Sequence, residues 1–336
     1  AARLDACRSR SAERKIEPLS NVVAVDIGGT HFRVGLFDGQ GQRVHVIEDA
    51  TDRSGGREWM LARVEREFRL LQQKSAEPIG ACGISFGGPV DFTGQKVTSI
   101  ATPGWESFEL SAWVKEKLGV PCLLDNDANA GALGEFRFGA GRGTESMFYV
   151  TLSTGIGGGF VSGGKLLRGK DTLAGEVGHL PMADSGPRCN CGARGCLESF
   201  SSGSAIGKMA QEWAERRGDV MPRMVELSGG SIERVTAREV ALAAAEGDPI
   251  ASRIFHDAAR WLGRGLMSVI RIVNPDKIVL GGGVAQAGKL LLDPIHEVME
   301  ERKSPALPVT TEVVIAELGM HSALHGAAAL ALDAQG

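Results

Sequence analysis

Short unbroken apolar runs that end in glycine alternate along this chain with longer stretches whose apolar residues recur every three or four positions. The first run, 22–27 (VVAVDI), stops at Gly28-Gly29-Thr30. A second covers 32–38, and after the turn Gly39-Gln40-Gly41 a third covers 43–48. Strands joined so tightly predict an antiparallel meander. Over 57–74, Trp59, Leu61, Val64, Phe68 and Leu71 lie at helical spacing. Another strand is expected at 79–86, ending in Gly87-Gly88-Pro89. A helix is expected near 110–118, a short buried strand at 121–125 and a helix over 127–137.

The pattern then restarts. A strand at 146–153 ends in Thr154-Gly155, and 158–162 with 165–168 reads as a hairpin around Gly163-Gly164. Residues 172–197 carry no periodicity. Helices follow at 199–216, 237–245 and 249–273, then a buried strand at 277–280 that ends in Gly281-Gly282-Gly283. A helix near 286–302, a strand at 311–315 and a helix over 321–333 complete the chain. Asp26-Ile27-Gly28-Gly29-Thr30 and Ser153-Thr154-Gly155-Ile156-Gly157 each follow a strand and open another. This weak internal symmetry predicts two similar α/β halves, each a mixed sheet flanked by helices, with a ligand cleft between them.

Composition narrows the partners. The 336 residues include 37 basic and 41 acidic side chains, a net charge of −4, which disfavours nucleic acid. No apolar run approaches the ~20 residues of a membrane span. The amino-terminal segment 1–15 is polar and basic without the apolar centre of a signal peptide, so a cytoplasmic location is expected. Glycine, 46 of 336 residues, is about twice its usual share and clusters beside apolar runs, as in loops that bring backbone close to a ligand.

The glycine loops are the first candidate chemistry. At 26–30, two glycines let backbone N–H groups approach an anion, Thr30 offers a hydroxyl, and Asp26 can hold Mg2+ through water. A tight hairpin with an Asp in its turn would use the same residues. Thr154 to Gly159 suits a hairpin tip that wraps nucleotide phosphates. No Gly-Lys-Ser/Thr follows it, so it is no Walker loop. Gly282 and Gly283 end a strand before a helix, where a nucleotide or merely close strand–helix packing fits. Two loops at corresponding positions favour the nucleotide reading.

Asp125-Asn126-Asp127-Ala128-Asn129 lies between a strand end and a helix start. One of these residues could cap the helix; the others exceed what a cap needs. Asp127 is the candidate general base for a substrate hydroxyl. His179, Cys189, Cys191 and Cys196, read as H-x9-C-x-C-x4-C, suit a closed tetrahedral structural Zn2+ site. Cys82 and Cys122 sit in apolar runs and are expected as buried thiols. Glu176 and Glu198 flank the zinc loop and could accept sugar hydroxyls, or be solvated acids. Trp105 is more simply a core residue than a stacking platform.

Asp26 to Thr30, Asn126-Asp127, Thr154 to Gly157, Glu176 to His179 and the stretch Cys189 to Glu198 together resemble the ROK family of repressors and sugar kinases. The likeness runs over roughly 21–333, with the motif order kept. The cysteine stretch is its most specific part; the glycine motifs belong to the wider superfamily of sugar kinases and actin-like ATPases. The resemblance implies a bilobal α/β fold of the ribonuclease H-like type, with two mixed-sheet domains around a cleft. A small domain would comprise 21–125 plus 321–336, and a large one 126–320 with the zinc loop 176–198, after a flexible extension 1–20. It implies transfer of the γ-phosphoryl of ATP, with Mg2+, to a hexose hydroxyl, glucose to glucose 6-phosphate first. The alternatives are an N-acetylmannosamine or N-acetylglucosamine kinase and, from another class, a sugar-sensing regulator. The intact Asn126-Asp127 pair and the roughly 20 residues before the first strand favour catalysis, since a DNA-recognition module needs far more chain.

By the same resemblance Asp127 is the general base. Gly28, Gly29, Thr30, Thr154 and Gly155 line the phosphates, Gly282 and Gly283 lie near the nucleoside, and Asp26 lies near Mg2+. Gly88, Asn126, Asp127, Glu176, His179 and Glu198 contact the sugar, and a homodimer or homotetramer is expected. One departure stands out: Ala101-Thr102 precede Pro103-Gly104-Trp105, where many ROK glucokinases carry Asn-Leu. It admits other hexoses or N-acetylhexosamines.

Overall fold

The computed structural model describes residues 20–52, 54–98, 104–216 and 222–335. All but the last residue of the expected extension 1–20, and the Ala101-Thr102 departure, lie outside the described residues.

In the first half, β1 (Asn21–Ile27), β2 (His31–Phe37) and β3 (Arg43–Ala50) form the expected meander, followed by α1 (Gly56–Lys74) and β4 (Ile79–Phe86). A small two-stranded flap, β5 (Val90–Asp91) with β6 (Lys96–Val97), leads to α2 (Leu110–Leu118), β7 (Cys122–Asn126) and α3 (Asp127–Phe138). The second half opens with β8 (Ser146–Leu152), β9 (Ile156–Ser162) and β10 (Lys165–Leu167). A helical block follows: α4 (Glu198–Ser201), α5 (Gly203–Arg216), α6 (Arg223–Leu227), α7 (Ala237–Ala245) and α8 (Pro249–Val273). Then come β11 (Lys277–Gly281), α9 (Lys289–Arg302), β12 (Glu312–Ile315) and α10 (Ser322–Asp333). The helix expected over 199–216 is broken at Ser202, which is extended at ψ 164°. The flap and α6 are too short for periodicity to reveal them.

The internal symmetry holds at the level of topology. The first sheet has the order β3-β2-β1-β4-β7 and the second β10-β9-β8-β11-β12. In each, three antiparallel strands are followed by two parallel ones on the far side of the first strand. This is the expected ribonuclease H-like half, present twice.

β1 shows why these runs are continuously apolar. Val23, Val25 and Ile27 face α1 in one core cluster, with Val64, Phe68 and Leu71. Val22 and Ala24 face α10 in another, with Leu324, Ala327 and Ala331. A strand covered on both faces has no polar side to alternate with. Trp105 is fully buried, edge-on to Phe86 at 5.0 Å and to Phe108 at 5.6 Å, so it belongs to the core. Cys82 and Cys122 are buried neighbours across β4 and β7. Helix ends are set locally: Asp248 caps α8 by accepting from the N–H groups of Ile250 and Ala251, and Thr236 with Glu239 forms a capping box on α7. Among the described residues no helix is long and apolar enough to cross a membrane.

The halves meet through α3 and α10. α3 leaves the first sheet and packs on β8 and β9, whereas α10 follows the second sheet and packs back on β1 and β4. The helices cross with backbone nearly touching backbone. A Cβ on Gly326 would fall 1.6 Å from the Ala130 carbonyl oxygen, and one on Gly134 would fall 2.2 Å from that of Ser322. Gly326→Ala is therefore expected to lower stability by at least the ~1–3 kcal/mol of an overpacked core. Urea denaturation checks this; an unchanged midpoint and slope would mean that the helices part freely here.

Candidate active site

The predicted glycine loops and Asp127 lie at the carboxyl ends of strands, the edge where open α/β sheets bind ligands. Gly28 to Thr30 follow β1 and Ser153 to Gly155 follow β8, their equivalent in the second sheet. Gly87-Gly88 follow β4, Gly282-Gly283 follow β11, and Asp127 follows β7.

The 28–30 loop is tied down by its own backbone. Gly28 N–H donates to the His31 carbonyl at 3.0 Å, Thr51 N–H to the Thr30 carbonyl at 3.0 Å, and Thr51 Oγ1 to the Gly28 carbonyl at 2.7 Å. Gly29 and Thr30 stay exposed. In the second loop Thr154 is exposed, and a Cβ on Gly155 would lie 2.5 Å from Glu198 Oε2. Gly282 has φ +84° and its Cβ would strike the Leu152 carbonyl, so only glycine fits; Gly283 beside it faces open space.

Asp127 begins α3, whose cap is Asn126: its Oδ1 accepts from Asn129 N–H at 2.7 Å. The cap thus uses Asn126 and leaves Asp127 open to solvent, held at its base by Ala128 N–H at 2.9 Å. Although one side meets solvent, protein encloses the rest. Loss of hydration, then the neighbouring negative charges of Asp26 and Glu176, push Asp127 up to about 6.

Asp26 is buried, with both oxygens engaged: Ser85 Oγ donates to one at 2.9 Å and Arg33 Nη1 to the other at 3.1 Å. Burial raises its pKa, and Ser85 and Arg33 oppose that rise. A magnesium ion would therefore be reached through water, not through a bare carboxylate. Sequence reasoning passed over Arg33 and Ser85. The available signal was an arginine inside a buried apolar strand, which requires a partner; the β1–β2 register places Asp26 opposite it.

His179, Cys189, Cys191 and Cys196 come together, with all four donor atoms within 4.8 Å of one another. Cys191 Sγ lies 3.7 Å from Cys196 Sγ, and His179 Nδ1 lies 3.6 Å from Cys189 Sγ. A tetrahedral zinc site with Zn–S near 2.3 Å has ligand edges of about 3.5–3.8 Å; these two separations match it, and three thiols with one imidazole are the donor set that suits the ion. As free thiols, burial pushes Cys189 up to about 12 and Cys196 upward, while the Ala193 N–H lowers Cys191; metal uptake would release protons. His179 Nε2 points the other way, 3.8 Å from Glu176 Oε2. Glu198 links this loop to the second glycine loop: Oε2 accepts from Ile156 N–H at 2.9 Å, and Oε1 lies 3.7 Å from Cys189 Sγ. Gly88 is half-buried beyond β4.

Comparison with known proteins follows the same lines. The ROK family model matches residues 22–334. A glucokinase of Thermotoga maritima is 34% identical over 314 residues, 93% of this chain and 98% of that protein. A ROK family glucokinase of Streptomyces griseus, solved in complex with glucose and AMPPNP, matches at TM-score 0.82 and 32% identity, over 94% of this chain and 100% of that one. A xylose repressor of Caldicellulosiruptor bescii is 27% identical over 323 residues, 94% of this chain and 79% of that protein. The doubled sheet is the actin-like ATPase fold of these ROK sugar kinases.

The raised Asp127 pKa has a sign. Between its ordinary value of 3.8 and about 6, the folded chain holds a proton that the unfolded chain has lost. Stability contributed by this group therefore falls as pH rises through that window. Asp127→Asn removes the cost, so the variant is expected to melt above the wild type at pH 7.5 and to lose that advantage near pH 4. A Tm difference that is the same at both pH values would show an unperturbed carboxyl.

Proposed function

The chain belongs to the ROK family, and from that premise we propose that it is an ATP-dependent sugar kinase that converts glucose to glucose 6-phosphate. The observation that carries the reading is Asp127: a solvent-open carboxylate at the sheet edge, among the loops of both halves, with lost hydration and negative neighbours pushing its pKa up to about 6. A general base serves best when its pKa lies close to the working pH.

Asp127 would accept the proton of the sugar hydroxyl as its oxygen bonds to the γ-phosphorus of ATP. The bond from that phosphorus to the β,γ-bridging oxygen breaks, and its electron pair leaves with ADP. Gly28, Gly29, Thr30, Thr154 and Gly155 cradle the phosphates, and Gly282 and Gly283 border the nucleoside. Asn126, Gly88, Glu176, His179 and Glu198 orient the sugar. When bound, Mg2+ would supply charge neutralisation at the phosphates, and Asp26 would help to hold it. Phosphoryl transfer needs mainly such positioning and charge stabilisation. A structural Zn2+ on His179, Cys189, Cys191 and Cys196 would stiffen the loop that presents Glu176 and Glu198. We divide the chain accordingly into 21–125 with 321–336 and 126–320, the cleft lying between them.

A coupled ADP-release assay with Mg-ATP tests the reading across glucose, mannose, fructose, allose, N-acetylglucosamine and N-acetylmannosamine. Turnover with glucose is expected; turnover confined to the acetylated sugars would move the chain to amino-sugar phosphorylation. Turnover with none of them, but with sugar bound, would favour a sensor. Asp127→Asn is expected to lower kcat by ~10²–10⁴-fold with sugar binding retained. In the wild type, kcat/KM should rise with pH through about 6, because the base must first lose its proton. Near-normal turnover in the variant would remove Asp127 from this role.

Zinc has its own test. Metal analysis should find one zinc per chain, and Cys191→Ser should lose the metal together with sugar affinity. Full activity in a demonstrably zinc-free variant would defeat the structural-metal assignment.

A further inference from the structure

Arg168, at the end of β10, reaches from the second sheet to the last strand of the first. Its Nε donates to Asp125 Oδ2 at 2.7 Å, and its guanidinium carbon sits over the Phe92 ring, 3.4 Å from the centroid. The Asp125 side chain is 3% exposed and that of Arg168 21%, so this is a shielded, charge-assisted contact rather than a surface pair. The other Asp125 oxygen accepts from Asn126 N–H at 2.8 Å and from Asn129 Nδ2 at 2.9 Å. Asn129 N–H in turn caps onto Asn126 Oδ1. Arg168 therefore closes a network around the first turn of α3, two residues from the Asp127 carboxylate.

The other end of the same segment carries Glu176. From Arg168 the chain folds back on itself, with Ala174 N–H donating to the Arg168 carbonyl at 3.0 Å. Thr172 Oγ1 reaches toward the Val90 carbonyl of the flap at 3.5 Å. Gly175 then lies against Gly158 of β9, where a Cβ would sit 2.6 Å from the carbonyl oxygen. Residues 168–176 thus form a short strap pinned at one end to Asp125 and Phe92 and at the other to β9, and Glu176 sits at the second pin.

Resting on the sugar-kinase reading above, we propose that Arg168 is a positioning residue: its contact with Asp125 and Phe92 holds the Glu176 strap in register with the Asn126-Asp127 segment and so sets affinity for the sugar. The nucleotide loops at 28–30 and 282–283 hang from other strands, and 154–155 shares only β9 with the strap, so the effect falls more on sugar than on ATP.

Arg168→Ala alone would leave Asp125 buried without its cation and could unfold the region. The informative variant is the double substitution Arg168→Met with Asp125→Asn, which removes both charges at similar volume. Arg168→Lys keeps the charge but loses the planar stacking and the fork. Glucose binding is measured by calorimetry without nucleotide, beside KM for glucose and for ATP, kcat and Tm. In the double variant, Kd and KM for glucose should weaken about tenfold or more, with kcat reduced and KM for ATP within about twofold of wild type. Arg168→Lys should fall between and carries the comparison should the double variant not fold. Wild-type glucose affinity in the folded variants would overturn the proposal, and so would equal losses of glucose and ATP affinity, which mark general unpacking. A wild type that phosphorylates no sugar would instead sink the kinase reading, and this inference with it.

Discussion

The crossing of α3 over α10 is the constraint on which the rest of the structure hangs. These two helices pass between the sheets, and at Gly326 and Gly134 there is no room for even one side-chain carbon. The contact is then fastened by Glu135, fully buried on α3. Its carboxylate accepts from the N–H groups of Ala140, Glu317 and Leu318 and from Ser322 Oγ, at 2.7 to 3.1 Å. A buried carboxylate with four donors is compensated for its lost hydration, and these donors span the end of α3, the segment after β12 and the start of α10. Arg137 on α3 adds a more exposed contact to α10: Nη2 donates to both Asp333 carboxylate oxygens at 2.8 Å and Nη1 to the Ala329 carbonyl at 3.2 Å. The start of α3 carries Asp127, so whatever fixes α3 against α10 also fixes the candidate base relative to both sheets.

That dependence explains what could be read from the chain and what could not. Nearly every strand and long helix was legible, because a sheet covered on both faces demands unbroken apolar runs such as 22–27, and a covering helix demands the spacing seen over 57–74. The glycine loops were legible for a related reason: a strand that ends in glycine at the ligand edge interrupts an apolar run. The His/Cys cluster was legible because its donors crowd into one segment and few other roles suit three thiols and an imidazole brought together. Asn126 as the cap and Asp127 as the free carboxylate could not be separated in advance, since either can cap a helix; the choice depends on the turn that the preceding strand imposes.

What stayed hidden were contacts between residues far apart in the chain. Arg33 with Asp26 depends on strand register, Arg168 with Asp125 on how the two sheets approach, and Glu135 on where the segment after β12 passes. Arg33, Asp125 and Glu135 are buried charges in otherwise apolar stretches, which signals that a partner exists without naming it.

The electrostatics of the cleft follow from these hidden partners. Asp26 and Asp127 repel, and an unpaired Asp26 would make Asp127 harder still to ionise. Arg33 offsets that repulsion. It is fixed in turn by Glu48, whose Oε1 lies 2.8 Å from the guanidinium and whose Oε2 lies 3.6 Å from His321 Nε2, just before α10. The chain Asp26, Arg33, Glu48, His321 thus runs from the end of β1, beside the 28–30 loop, to the start of α10. It lets two carboxylates lie near one another in different states: the buried one paired with an arginine, the open one raised by lost hydration and by its negative neighbours. The duplicated sheets supply the loops proposed for the nucleotide. The segment 168–198, whose counterpart in the first half is only the short connection from β3 to α1, supplies the proposed sugar contacts. On that proposal, substrate choice could vary in the insertion without disturbing the crossing that holds the candidate base.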